Sequence, residues 1–211
     1  MNFFHGTYIE KSEIDLQFEE IHLVKTLSTL FTRFFLELFN VDTNWKIKTH
    51  VVEPFTTRDK VPGDVDILIY NPHIPHSSIA IEVKIFKKKQ GNFGNHFVSN
   101  MQRVREGLNQ SEGLMNLGFA SVFFMPIIVA NTSIFVDRNL ASRTVDESNW
   151  GNIRKEYLKF RGERRIGLMA LEICQNSEKP FFESGSISGF QYYNYPANQK
   201  SCITDKIRSL G

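Results

Sequence analysis

Hydrophobic positions recur along this chain with two periods, and the switches between them outline an order of helices and strands. Over residues 16–40, Leu23, Val24, Leu27, Phe31, Phe34 and Leu38 fall on one stripe at about 100° per residue, with Lys25, Thr29 and Arg33 opposite. That pattern predicts one long amphipathic helix. Residues 44–53 alternate instead, with Trp45, Ile47, Thr49 and Val51 on one side, and predict a first strand. A polar loop over 54–62 carries Arg58, Asp59 and Lys60. Residues 63–70 and 79–85 are short runs of β-branched and aliphatic residues and predict two buried strands. The Pro- and Ser-rich stretch 71–78 between them suits a hairpin loop.

A second amphipathic helix is predicted over 96–116, with Phe97, Met101, Val104, Leu108 and Met115 on its stripe and Gly118 as its terminator. Residues 119–129 predict another buried strand, 151–160 a helix and 166–174 a strand. The pattern is irregular over 131–152, and beyond residue 178 a tail rich in Ser, Gly, Asn and Tyr predicts no element. The order helix, three strands, helix, strand, helix, strand implies an α/β fold with a mixed central β-sheet flanked by helices. No repeat or linker divides it, so 1–211 is expected to be a single domain with its core over about 16–174.

The two strands around the hairpin are interrupted by charge. Asp66 breaks the run Val65-Asp66-Ile67-Leu68-Ile69, and Glu82 and Lys84 break Ile79-Ala80-Ile81-Glu82-Val83-Lys84-Ile85. A buried charge costs several kcal/mol unless it is paired, hydrogen-bonded or bound to a metal. Paired strands lie only about 5 Å apart, so the hairpin sets Asp66 near Glu82 and Lys84. Residues 82 and 84 share a face of their strand. Two carboxylates and a lysine converging on one point describe a hydrolytic site built around a divalent metal; the plainer alternative is a structural ion pair across the hairpin. Asp64 shares a face with Asp66 and is either a further acidic ligand or the exposed start of the strand. Asp66 is favoured, because Ile67, Leu68 and Ile69 embed it more deeply.

Composition narrows the picture a little. The hydrophobic share of 41% and the charged share of 23% are ordinary for a globular protein, whereas 19 Phe suggest a core or interface packed with large aromatics. A net charge of +2 announces no global field for nucleic acid, so any such partner must be met by local basic patches. Cys174 and Cys202 have no metal-ligand spacing. No signal-peptide pattern and no apolar run long enough to span a bilayer is visible, so a soluble cytoplasmic protein is expected.

The Asp66, hairpin, Glu82-x-Lys84 arrangement resembles the PD-(D/E)xK nuclease superfamily, and Gly63-Asp64-Val65-Asp66 looks like its Gly-acid-x-Asp lead-in. Pro62 stands near the proline of that pattern without directly preceding the catalytic Asp. The resemblance covers about residues 53–86. It implies a restriction-endonuclease-like core and a metal-dependent nuclease hydrolysing DNA, in restriction, defence or repair. It further implies Mg²⁺, with Mn²⁺ able to substitute, held by Asp66, Glu82 and the main-chain carbonyl of Val83, with Lys84 orienting or activating the attacking water. An acidic residue of the first helix often reaches the site in that superfamily, and Glu20 is the matching position. Helix-dipole stabilisation is its alternative role.

Lys87, Lys88 and Lys89, directly after the motif, are the basic residues best placed to hold nucleic-acid phosphates. Arg103 and Arg105, and Arg161, Arg164 and Arg165, read better as solvated faces, as Gln102 does. His73 and His76 read as turn residues, and Tyr192, Tyr193 and Tyr195 as core-capping or contact residues. DNA is the expected partner, RNA stays open, and a homodimer would let one site per subunit cut both strands. The alternative function is a catalytically inactive nuclease fold that binds nucleic acid or a protein partner.

Overall fold

The computed structural model describes residues 2–5, 20–30, 32–56, 62–88, 93–131, 147–161, 165–175, 185–192 and 196–211. In chain order the elements are β1 (Asn2–His5), α1 (Glu20–Leu30), α2 (Thr32–Leu38), β2 (Lys46–Val51), β3 (Val65–Tyr70) and β4 (Ser78–Lys88). Then come α3 (Phe93–Leu117), β5 (Ser121–Asn131), α4 (Glu147–Arg161), β6 (Ile166–Gln175), β7 (Gly185–Tyr192) and α5 (Ser201–Ser209).

One seven-stranded sheet runs in the order β1-β7-β6-β5-β4-β3-β2. Its centre, β4-β5-β6, is parallel, and the remaining pairs are antiparallel. Parallel neighbours need long crossovers, and the helices α3 and α4 occupy those two connections. The fold is therefore α/β, with a mixed central sheet flanked by helices, consistent with a restriction-endonuclease-like core.

Alternation along the strands sorts the side chains onto two layers. On β4, Ile79, Ile81, Val83 and Ile85 join Leu23, Val24, Leu27 and Phe35 of α1 and α2. On the other face, Phe86, Phe124 and Leu168 pack against Val104 and Leu108 of α3 and Ile153 and Tyr157 of α4. Leu68, Tyr70 and Ala80 pack there against Leu114 of α3 and Ile203 and Ile207 of α5. Residues 82 and 84 fall in register on this second face, inside a wall of apolar side chains.

Most predicted elements stand, with shifted ends. The predicted helix over 16–40 corresponds to α1 and α2; residues 16–19 and Phe31 lie outside the described residues. Gly118 does end α3: its φ is 111°, and its N–H reaches the carbonyls of Leu114 at 3.3 Å and Met115 at 3.0 Å. Lys87 and Lys88, expected in a loop, extend β4 opposite Val129 and Ala130 of β5. Lys89 lies outside the described residues. β1, β7 and α5 were not foreseen. β7 joins β1 to the far edge of the sheet, and the short α5 is held by burial of Ile203 and Ile207. Among the described residues no helix is long and apolar enough to cross a membrane.

One expectation is overturned. Trp45, Ile47, Thr49 and Val51 do not share one side of β2: Trp45 and Ile47 pack toward α1, but Val51 packs with Phe55 and Val65 in the opposite layer. The reason is His50, whose φ of 51° is left-handed and breaks the strand alternation there.

Candidate active site

The β3–β4 ladder pairs Tyr70 with Ser78 and continues to Ile67 with Ile81, where it stops. Asp66 and Glu82 would be the next pair, so both lie where the two strands part. There the Val83 N–H donates to Asp66 Oδ2 at 2.7 Å instead of to a strand carbonyl, and the Val83 carbonyl accepts from Lys84 Nζ at 3.1 Å. Side chains thus satisfy main-chain groups that the opened ladder leaves over. Lys84 Nζ also donates to Glu82 Oε1 at 2.6 Å, the short spacing of a charge-assisted bond. Asp66, Glu82 and Lys84 are all buried, at 5%, 2% and 9% exposure, so their charges act on each other through little water.

All three line one cavity of about 490 Å³, together with Gly63 and Asp64 before β3, His50 and Val52 of the β2 end, Ile21 of α1 and Gln110 of α3. The sequence-predicted triad is therefore brought together on one wall. Glu20 opens α1 immediately before the cavity-lining Ile21. Asp64 does enter the site, half-buried, rather than marking an exposed strand start.

His50 was missed. Its position beside Lys46 and Lys48 in an alternating strand reads as solvent-facing, yet it lines the cavity, with a left-handed backbone. The register pairing Thr49 with Ile67 and Val51 with Val65 sets it beside Asp66. Its Nδ1 lies 3.4 Å from Asp64 Oδ2 and 3.8 Å from Asp66 Oδ1, and its Nε2 lies 3.3 Å from the Ile21 carbonyl. The hydrogen bond to Asp64 raises the His50 pKa above 6.5; the Asp66 charge adds to this, against the opposing effect of burial.

No protein-family model matches the chain, and no curated protein matches it. Among solved structures it is similar to SfsA of Pyrococcus furiosus in complex with Ca²⁺, at 13% identity and a TM-score of 0.37. The match covers 81% of this chain and 62% of that one, so the chain spans less than two thirds of that protein. A likeness of this depth assigns no residue here a role.

What holds Lys84 in place is visible on α3. The helix crosses the sheet at Gly107, where a Cβ would lie 2.9 Å from Lys84 Cγ and 3.0 Å from the ring carbon Cδ2 of Phe124. The missing side chain is the space that the lysine stem and the phenyl ring occupy. Three residues on, Gln110 reaches the cavity, whereas Gln102 is exposed and donates to Glu106 at 3.0 Å. Arg103 turns back to the sheet, donating to the Ile85 carbonyl at 3.1 Å, and Arg105 pairs with Glu156 of α4 at 3.0 Å. Lys159 joins that pair from α4, and the two cations together hold the Glu156 pKa below its ordinary value. Neither arginine lines the cavity. His73 and His76 are exposed in the 71–77 loop, away from the site.

Proposed function

We propose that this protein is a Mg²⁺-dependent deoxyribonuclease, hydrolysing DNA phosphodiester bonds in a restriction, defence or repair role. The observation that carries the reading is the opened end of the β3–β4 ladder. There two buried carboxylates and one ammonium face a common cavity, and the ammonium reaches the main-chain carbonyl of Val83. The donor chemistry fits the ion: Asp66, Glu82 and the Val83 carbonyl offer oxygen only, which Mg²⁺ demands, and Mn²⁺ accepts the same set.

When bound, Mg²⁺ offsets charge on the phosphoryl oxygens and makes a water acidic enough to attack near neutral pH. The rest falls to the chain. Asp66 is oriented by the Val83 N–H, so its carboxylate is aimed before substrate arrives. Lys84 is held between Glu82 and the Val83 carbonyl, and its ammonium donates to the attacking water or to a phosphate oxygen. The water oxygen forms a bond to phosphorus, the bond to the 3′ oxygen breaks, and the products carry 5′-phosphate and 3′-hydroxyl ends. On this reading Glu20, which opens α1, supplies a further acidic group, and Lys87 and Lys88 at the end of β4, with Lys89 next in sequence, hold the flanking phosphates. A homodimer would bring one such site to each DNA strand.

The test is cleavage of supercoiled and linear DNA with Mg²⁺ or Mn²⁺ by wild type, Glu82→Ala and Lys84→Ala. Metal-dependent cutting that disappears in both variants is expected. Cutting that persists in both would sink the site assignment.

A further inference from the structure

The chemistry above uses the side of Asp66 that faces Val83 and Glu82. On its other side His50, Asp64 and Asp66 each turn a ligand-type atom toward the others, all within 4.8 Å. The two oxygens of Asp66 are divided between these sides: Oδ2 is taken by the Val83 N–H, and Oδ1 faces His50.

The ring of His50 is oriented for this side. Nε2 faces the Ile21 carbonyl at 3.3 Å, and a carbonyl only accepts, so Nε2 donates there and leaves Nδ1 facing the two carboxylates. Nδ1 lies 3.4 Å from Asp64 and 3.8 Å from Asp66. A proton and a metal ion are alternative occupants of that gap, since a metal-binding imidazole gives up its proton. Two donors each about 2.1 Å from one ion sit about 3.0 Å apart at a right angle and about 3.4 Å apart at a tetrahedral angle, reaching about 4.2 Å when opposite. Both spacings fall in that range. The Ile21 carbonyl also supplies what metal-bound histidines ordinarily have, a partner on the far nitrogen that orients the ring.

We infer that His50, Asp64 and Asp66 form a second cation site, taking a divalent first-row transition ion through Nδ1 and two carboxylate oxygens. The nitrogen donor sets it apart from the oxygen-only set on the Glu82 side, since imidazole favours the later transition ions and Mg²⁺ favours oxygen. The site needs neither Glu82 nor Lys84, and it stands whether or not the protein cuts DNA.

The experiment is Mn²⁺ titration of the full chain followed by pulsed electron paramagnetic resonance, reading ¹⁴N coupling to the bound ion. Wild type, Glu82→Gln and His50→Asn are compared; asparagine tolerates the left-handed backbone at position 50. Wild type and Glu82→Gln should show the coupling. His50→Asn should lose it, with Mn²⁺ affinity reduced at least about tenfold, as loss of even an outer partner of a metal site does. Wild-type Mn²⁺ without ¹⁴N coupling, coupling that survives in His50→Asn, coupling that vanishes in Glu82→Gln, or no Mn²⁺ binding would each overturn the inference. Absence of DNA cleavage would bear on the nuclease reading alone.

Discussion

Gly107 is the position where packing and proposed chemistry can be separated most cleanly. Adding one methyl there, in Gly107→Ala, places a carbon 2.9 Å from Lys84 Cγ and against the Phe124 ring. Carbon atoms settle at about 3.5–4.0 Å, so the overlap with Lys84 Cγ is roughly 0.6–1 Å, and the edge of the Phe124 ring lies closer still. Alanine gains about 1 kcal/mol of helix propensity over glycine, and overpacking a filled site costs about 1–3 kcal/mol. The balance runs from near zero to about 2 kcal/mol of destabilisation, which for a chain of this size lowers Tm by at most about 8 °C. Gly151, in α4, has nothing within 4 Å of its would-be Cβ. Gly151→Ala should therefore keep the propensity gain and raise stability by about 0.5–1 kcal/mol. The two substitutions are chemically identical, so their difference in urea midpoint isolates the contact with Lys84 and Phe124. Activity should separate further. A displacement of about 1 Å at a positioned group costs on the order of 10²-fold in rate, so single-turnover DNA cleavage should fall by about that much in Gly107→Ala and not in Gly151→Ala. If Gly107→Ala melts at or above wild type and cuts as fast, α3 has yielded freely and Gly107 does not position the lysine.

Two further predictions concern charge. Removing one member of the buried Lys84–Glu82 pair, as in Lys84→Met or Glu82→Gln, should cost about 3–5 kcal/mol in urea unfolding, because it leaves its partner's buried polar contacts uncompensated. The double variant should recover a substantial part of that loss; additive losses would mean the two residues do not act as a pair. His50 is raised above 6.5 in the folded chain, chiefly by Asp64, so its pairing stabilises fully below pH 6.5 and is lost as pH rises through the folded value. In metal-free buffer, wild type should lose stability over that window relative to His50→Asn. Parallel pH profiles for the two proteins would refute the pairing.

How much of this was legible in the sequence depended on whether the decisive force was local. Apolar runs interrupted by charge foretold the buried strands β3 and β4 and the meeting of Asp66, Glu82 and Lys84, because strand alternation and hairpin pairing are short-range rules. β1 and β7 escaped because a four-residue strand and a Gly- and Ser-rich strand carry little pattern of their own and are held by their neighbours. The same holds for α5, whose two buried isoleucines gain their meaning only from Leu68 and Tyr70, more than a hundred residues earlier.

The site divides along the same line. Glu82 and Lys84 are set two apart on one strand, and local alternation suffices to align them. His50 required knowing that the strand register sets it opposite Asp66, at a left-handed backbone position, and Gly107 required knowing which side chain would fill the space it leaves. Both departures fall beside the buried charges. A histidine in a left-handed conformation and a glycine inside a long helix each cost local stability, the glycine about 1 kcal/mol. The return is geometric: one brings a ring nitrogen to Asp64 and Asp66, and the other makes room for the stem of Lys84. Local rules broken on both sides of one cavity, each break admitting a polar group to it, are what the proposed active site would leave in the fold.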